Sequence, residues 1–174
     1  MADLRPAEIL LSEAQIQKRV AEMAQEIRKD YPGDLHVIAV LKGAFIFLSD
    51  LARHMPGHVS LDFMAVSSYA KGTTSSGEVK MVKDLDTALD GRHVIIVEDI
   101  VDTGLTLSYL QKILGERHPK SLRTACLLSK PSRRKVDVTV DYIGFTIEDR
   151  FVVGYGLDFD EQYRNLPHIA VLEP

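Results

Sequence analysis

The chain has 174 residues, enough for one domain with a buried core, and its 45% hydrophobic and 26% charged residues are ordinary for a folded protein. A formal charge of −4 without a long basic run argues against nucleic acid as an obligate partner, though not against one small phosphorylated molecule, which needs only a local site. The lone cysteine, Cys126, excludes an intrachain disulfide, and no segment is apolar over a length that spans a bilayer.

Met1-Ala-Asp-Leu-Arg-Pro6 lacks a basic region followed by an apolar one, so a reducing cytoplasm is the expected location. Ser12 followed by Gln15 has the spacing of a capping box. Ile16, Val20, Met23 and Ile27 then recur on one helical face until Tyr31-Pro-Gly-Asp34. Leu35 to Leu41 is a short, branched apolar run and predicts a buried strand. Gly43 begins a helical pattern over 44–54 that Pro56 and Gly57 stop. Residues 59–66 alternate as a strand does. Ser67 to Gly77 is small, polar and glycine-punctuated apart from Tyr69, and predicts a mobile loop. Further strands are predicted at 80–85 and, after the Asp90-Gly91 turn, at 93–97, followed by a helix over 104–117. Residues 122–129, 138–145 and 151–155 complete the strands; Cys126 within Thr124-Ala-Cys-Leu-Leu128 reads as a buried thiol. The order implies an α/β fold, with a mostly parallel central sheet and helices on both faces. Residues 1–174 read as a single domain with a mobile loop and a small C-terminal appendage. The six histidines are scattered, without the spacing of a zinc site.

The chemistry concentrates in Val94-Ile-Ile-Val-Glu-Asp-Ile-Val-Asp-Thr-Gly-Leu-Thr-Leu107. A buried strand ends in two acids, Glu98 and Asp99, and Asp102-Thr-Gly-Leu-Thr106 leads into a helix. Ligands of open α/β sheets sit beyond the carboxyl ends of strands, and a helix start offers unpaired N–H groups to an anion. Thr103 and Thr106 add hydroxyls, and Gly104 permits close backbone approach. The acids would repel a phosphate, so they must face sugar hydroxyls, a metal or a base. The competing reading is an ordinary strand–helix junction with Asp102 as a cap. Elsewhere, Lys42-Gly43 joins a strand to a helix. Taken alone, Lys130 beside Arg133-Arg-Lys135 reads as a surface lysine, Phe151 as core packing and Asp158 as a solvated turn acid.

Two acids, two apolar residues and then Asp-Thr-Gly-x-Thr resemble the phosphoribosyl pyrophosphate (PRPP) signature of type I phosphoribosyltransferases. The resemblance runs from Leu41-Lys-Gly43 through Ser68-Tyr69 to Asp158 and Arg164, and is to the members acting on 6-oxopurines. It implies transfer of the 5-phosphoribosyl group from PRPP to hypoxanthine, guanine or both, giving IMP or GMP and pyrophosphate, with Mg²⁺ as cofactor. It also implies a homodimer or homotetramer, with no nucleic-acid or membrane partner. By the same resemblance, Glu98 and Asp99 hold the ribose hydroxyls directly or through magnesium-bound water. Asp102 lies beside N7 of the purine as general base or acid, and Thr103, Gly104, Leu105 and Thr106 hold the 5′-phosphate. Lys42 and Gly43 meet pyrophosphate through a cis peptide, and Arg164 grips it with a planar fork of donors. Lys130 donates to O6 of the base, Phe151 stacks on the ring, Val152 binds the base edge through its backbone, and Asp158 is a magnesium ligand facing the base. Ser68 and Tyr69 belong to a lid over residues 67–77. Two rivals stay open: a regulator that binds a phosphoribosyl ligand and controls RNA, and an enzyme of the same fold acting on adenine, uracil or orotate. The absence of a basic face speaks against the first, and Lys130 with Phe151-Val152 against the second.

Overall fold

The apolar runs of the chain line up side by side. The computed structural model describes residues 5–69 and 78–173. In chain order the elements are β1 (Arg5–Leu11), α1 (Glu13–Asp30), β2 (Leu35–Leu41), α2 (Phe45–Arg53), β3 (Val59–Tyr69), β4 (Glu78–Lys83), β5 (His93–Val101), α3 (Leu105–Gly115), β6 (Ser121–Ser129), β7 (Tyr142–Thr146), β8 (Val152–Val153) and β9 (Ile169–Glu173). The main sheet has the order β4-β3-β2-β5-β6-β7. All neighbours in it are parallel except β4, which runs antiparallel to β3.

The period of two along each strand divides the core. Val37, Ala39, Ile95, Val97, Ala125 and Leu127 face α1 and α2, while Ile38, Val40, Val94, Ile96 and Cys126 face the side packed by Leu107, Leu110 and Leu114 of α3. Helices therefore cover both faces, as the strand–helix alternation predicts. The start of α1 is set locally: Ser12 Oγ accepts from Gln15 N at 3.2 Å and Gln15 Oε1 accepts from Ser12 N at 2.8 Å. Its predicted apolar face, Ile16, Val20, Met23 and Ile27, is fully buried. Cys126 is buried too, and burial pushes its thiol up to about 12, so it is an inert core group. Among the described residues no helix is long and apolar enough to cross a membrane.

Several boundaries differ from the sequence reading. β3 continues past Val66 to Tyr69, because Ser67, Ser68 and Tyr69 pair with Lys80, Val79 and Glu78. β5 continues past Val97 to Val101, so Glu98 and Asp99 lie within a strand, held there by pairing of Glu98, Ile100 and Val101 with Cys126, Leu128 and Ser129. β7 begins at Tyr142 rather than Val138, and β8 is reduced to Val152–Val153. The appendage is not C-terminal alone: β1 and β8 flank β9 in a separate antiparallel sheet built from both ends of the chain. The sequence gives no sign of β1, whose Pro6 and Glu8 interrupt any alternation and whose pairing with β9 is irregular. Of the expected lid, residues 70–77 and the side chains of Ser68 and Tyr69 lie outside the described residues.

In the main sheet β2, β5 and β6 are adjacent and parallel, so their carboxyl ends open onto one rim. Lys42-Gly43, Asp102 to Thr106, and Lys130 all leave the sheet there.

Candidate active site

The turn between β5 and α3 is shaped by its backbone. Gly104 is the N-cap of α3 with φ +82°, a left-handed conformation in which a side chain would be strained. The first N–H groups of α3 have no acceptor inside the helix, and its positive dipole end points the same way. Thr103 Oγ1 comes within 3.4 Å of Leu105 N, and backbone N–H groups of Lys135 and Val136 donate to Thr103 O at 2.9 and 3.4 Å, which ties the turn to its neighbours. The hollow above it, about 180 Å³, is lined by Glu98, Ile100, Val101, Asp102, Thr103, Gly104, Thr106 and Leu107. It is small, ringed by hydroxyls and N–H donors, and suited to one phosphate group.

A second hollow of about 300 Å³ adjoins it, lined by Ile100, Asp102, Lys130, Arg133, Asp149, Phe151, Val152, Leu157 and Asp158. Asp102 and Ile100 belong to both and form the partition. One Asp102 oxygen takes the Thr103 N–H, and the other lies 3.3 Å from Arg133 Nε. Lys130 is only 6% exposed, which excludes the surface-lysine reading; its Nζ donates to Arg150 O at 2.6 Å. A lysine with its head against a cavity wall offers donors only. Phe151 is 54% exposed with its ring edge-on to Phe159 at 5.8 Å, so a face is open for a planar partner, and the core-packing reading fails. Val152 lies on β8, the edge strand of its sheet, so among the described residues one side of its backbone lacks a strand partner.

The third region centres on Asp99. A Cβ on Gly43 would overlap Oδ2 of Asp99, and a Cβ on Gly156 would overlap the carbonyl oxygen of Gly43. Three segments therefore stack with no intervening side chain. The Leu41-Lys42 peptide is cis, as the resemblance implies. Arg164 donates to Gly156 O at 2.8 Å and pairs with Asp158 and Glu161, both at 3.1 Å. Lys42 Nζ reaches the same Glu161 at 2.7 Å. The hydrogen bond from Lys42, and then that from Arg164, hold Glu161 below the usual carboxylate range.

Glu98 and Asp99 are charged poorly where they stand. Burial, and then the Asp99 charge, push Glu98 well up. Burial raises Asp99 to about 6, against the lowering effects of the Ile100 N–H and the Arg164 charge. Burial disfavours the charged form of both acids. Among the described residues no three His, Cys, Asp or Glu side chains converge on one point, so Glu98, Asp99 and Asp158 do not form a cage. That donor set suits Mg²⁺, which keeps several waters and takes one or two carboxylates along with substrate phosphates.

The predicted residues thus fall into three adjoining groups. Glu98, Asp102, Thr103, Gly104 and Thr106 line the small hollow, with Leu105 beginning α3 behind it; Lys130, Phe151, Val152 and Asp158 line the larger one; Lys42, Gly43, Asp99 and Arg164 surround the glycine stack. Ile100, Val101, Leu107, Arg133, Asp149, Leu157 and Glu161 complete these surfaces, and the sequence does not single them out. Arg133 sits in the basic run that reads as solvent-facing, and Glu161 three residues before Arg164 was the only sequence sign of that ion pair.

Residues 6–160 match the model of the phosphoribosyl transferase domain family. The chain is 52% identical over 167 residues to a hypoxanthine-guanine phosphoribosyltransferase of Bacillus subtilis, covering 95% of this chain and 93% of that one. It is 51% identical over 183 residues to the enzyme of the same name from Mycobacterium avium, covering 99% and 90%. A crystal structure of a hypoxanthine-guanine phosphoribosyltransferase from Bacillus anthracis superposes with a TM-score of 0.93 at 46% identity, covering 99% of this chain and 100% of that one.

Proposed function

The chain belongs to the phosphoribosyl transferase domain family, and from that premise we propose that it is a purine-salvage enzyme joining hypoxanthine, guanine or both to the 5-phosphoribosyl group of PRPP. One observation carries the reading: a phosphate-sized hollow on a helix N-terminus shares the Asp102 wall with a larger hollow holding a buried lysine and an open aromatic face.

The 5′-phosphate fits the Thr103–Thr106 turn, with the ribose over Glu98 and Asp99 and the pyrophosphate toward Lys42, Gly43 and Arg164. The purine fits between Phe151 and Ile100, with its edge toward the Val152 backbone and O6 toward Lys130. Asp102 then lies beside the ring nitrogen that exchanges a proton as N9 bonds to C1′ and pyrophosphate leaves. The planar donors of Arg164 suit the charge that develops on the leaving group. Asp99 and Asp158, with Glu98 behind, would hold Mg²⁺, which supplies charge neutralisation at pyrophosphate when bound. Ser68 and Tyr69 begin the segment we assign to covering the sugar from water. Assembly as a homodimer or homotetramer and a cytoplasmic location belong to the same reading. Steady-state assays with PRPP, Mg²⁺ and each of the five common bases test it; turnover confined to adenine or a pyrimidine, or none at all, rejects it.

Lys130 is expected to set the choice of base. An ammonium matches the carbonyl at position 6 of hypoxanthine, whereas adenine presents a second donor there. Lys130→Ser should lower the specificity constant for hypoxanthine roughly 10–100-fold, the worth of a charge-assisted hydrogen bond, and narrow its lead over adenine. PRPP affinity should hold. Loss of PRPP affinity with an unchanged base ratio would move the lysine to the phosphate side.

Glu161 occupies Arg164, the cation assigned to pyrophosphate, and the ammonium of neighbouring Lys42. PRPP must displace it, so Glu161→Gln should tighten PRPP binding. The pairs are exposed, and the gain expected is roughly two- to fivefold. Isothermal titration with PRPP and Mg²⁺ measures it, and weaker binding in the variant would show that Glu161 assists rather than competes.

A further inference from the structure

Arg134 belongs to the basic run Arg133-Arg-Lys135, yet its side chain turns inward. Its Nη1 lies 2.7 Å from Val101 O, 2.6 Å from Asp102 O and 3.3 Å from Lys130 O, and its Nη2 donates to the hydroxyl of buried Ser129 at 2.9 Å. These acceptors lie at the ends of β5 and β6. The ladder between the two strands pairs Val101 with Ser129, and its last backbone bond runs from Lys130 N to Val101 O at 2.9 Å. One residue further along each strand come Asp102 and Lys130, the two side chains assigned to the purine. Lys130 keeps that one backbone bond, and beyond it the chains diverge into the β5–α3 turn and the short 3-10 turn Pro131–Arg133.

We propose that Arg134 is a positioning residue that bridges the two chains beyond the last rung and sets the spacing between Asp102 and Lys130, on the reading that these two face the base. A planar guanidinium can serve several carbonyls at fixed angles, which a lysine cannot. Displacing a reacting group by about 1 Å can cost about 10²-fold in rate. The phosphate turn has separate support, because Thr103 O takes its donors from the backbone of Lys135 and Val136. Loss of Arg134 should therefore disturb the base side and spare the phosphate side.

The test uses Arg134→Ala and Arg134→Lys in the full chain, with activity expressed per folded molecule after thermal unfolding has been measured. The specificity constant for hypoxanthine should fall about 10²-fold in the alanine variant. Its ratio to that for adenine should shrink, and PRPP affinity should stay within about threefold of the parent, since no phosphate contact assigned by general anion-site logic is touched. Millimolar guanidinium should restore part of the turnover of Arg134→Ala, and methylammonium should not. If the alanine variant fails to fold, the same split between base and PRPP in Arg134→Lys decides the matter. Unchanged turnover per folded molecule, or base and PRPP affinities falling together, would reduce Arg134 to a structural staple and overturn the proposal. A parent enzyme inactive on both hypoxanthine and guanine would instead reject the functional reading, and the role of Arg134 with it.

Discussion

Asp102→Asn should fold as the parent does and turn over about 10²–10⁴-fold more slowly, the range typical of a lost general acid or base. The side chain is 35% exposed, so no core contact is removed. Asparagine keeps an oxygen for the Thr103 N–H and so preserves the turn. Its amide nitrogen, however, would face Arg133 Nε, which now lies 3.3 Å from a carboxylate oxygen. A proton acceptor becomes a donor opposite another donor. Both the proton transfer and the orientation of the group suffer, while the phosphate turn stays formed. Circular dichroism and PRPP titration should therefore match the parent while kcat collapses. A variant with near-parental kcat would remove Asp102 from the chemistry.

Asp99→Asn should separate stability from activity. Burial raises Asp99 to about 6 from an ordinary value of 3.8. Between these values the folded chain holds a proton that the unfolded chain has lost, so stability falls as pH rises through about 4 to 6 and stays lowered above that. Glu98, raised by burial and by the Asp99 charge, adds to the effect with the same sign. The asparagine variant has no charge to bury and can still accept the Ile100 N–H that Asp99 Oδ1 takes at 2.6 Å. It should melt higher than the parent at neutral pH, by about 2–4 °C per kcal/mol relieved, and the difference should vanish near pH 4. Activity should move the other way, dropping at least the roughly 10–100-fold seen for groups that merely support a metal. Magnesium should stabilise the parent and have little effect on the variant. A variant that melts lower at neutral pH, or responds to magnesium as the parent does, would contradict this account.

How far the sequence discloses the molecule depends on the distance over which each feature is decided. α1 is readable because its cap joins residues three apart and its apolar face repeats within the helix. β2 is readable to the residue because burial on both faces leaves a run between turns that is apolar but for His36. The β5–α3 turn combines a strand, a glycine and hydroxyls within one short segment, so the phosphate side of the site is visible too. The contacts that the sequence conceals are assembled from afar. Lys42 and Glu161 are 119 positions apart, and Arg134 meets Val101 across 33. Arg134 illustrates why: three consecutive cations resemble a solvated stretch, and only the divergence of β5 and β6 creates the carbonyls that draw one of them inward. Lys130 and Phe151 likewise needed the family resemblance, since burial of the one and exposure of the other reverse the ordinary preferences of their residue types.

The stack of Asp99, Gly43 and Gly156 divides the site into halves with different capacities for change. On the pyrophosphate side, main chain lies against main chain and carboxylate, and neither glycine can gain a single carbon without displacing another segment. The larger hollow is bounded by whole side chains, among them Leu157, Arg133 and Asp149. Those can be exchanged one at a time without moving a strand. Drift under selection, or redesign toward other bases, has room in that half alone; the donor of the sugar phosphate is locked while its acceptor is negotiable.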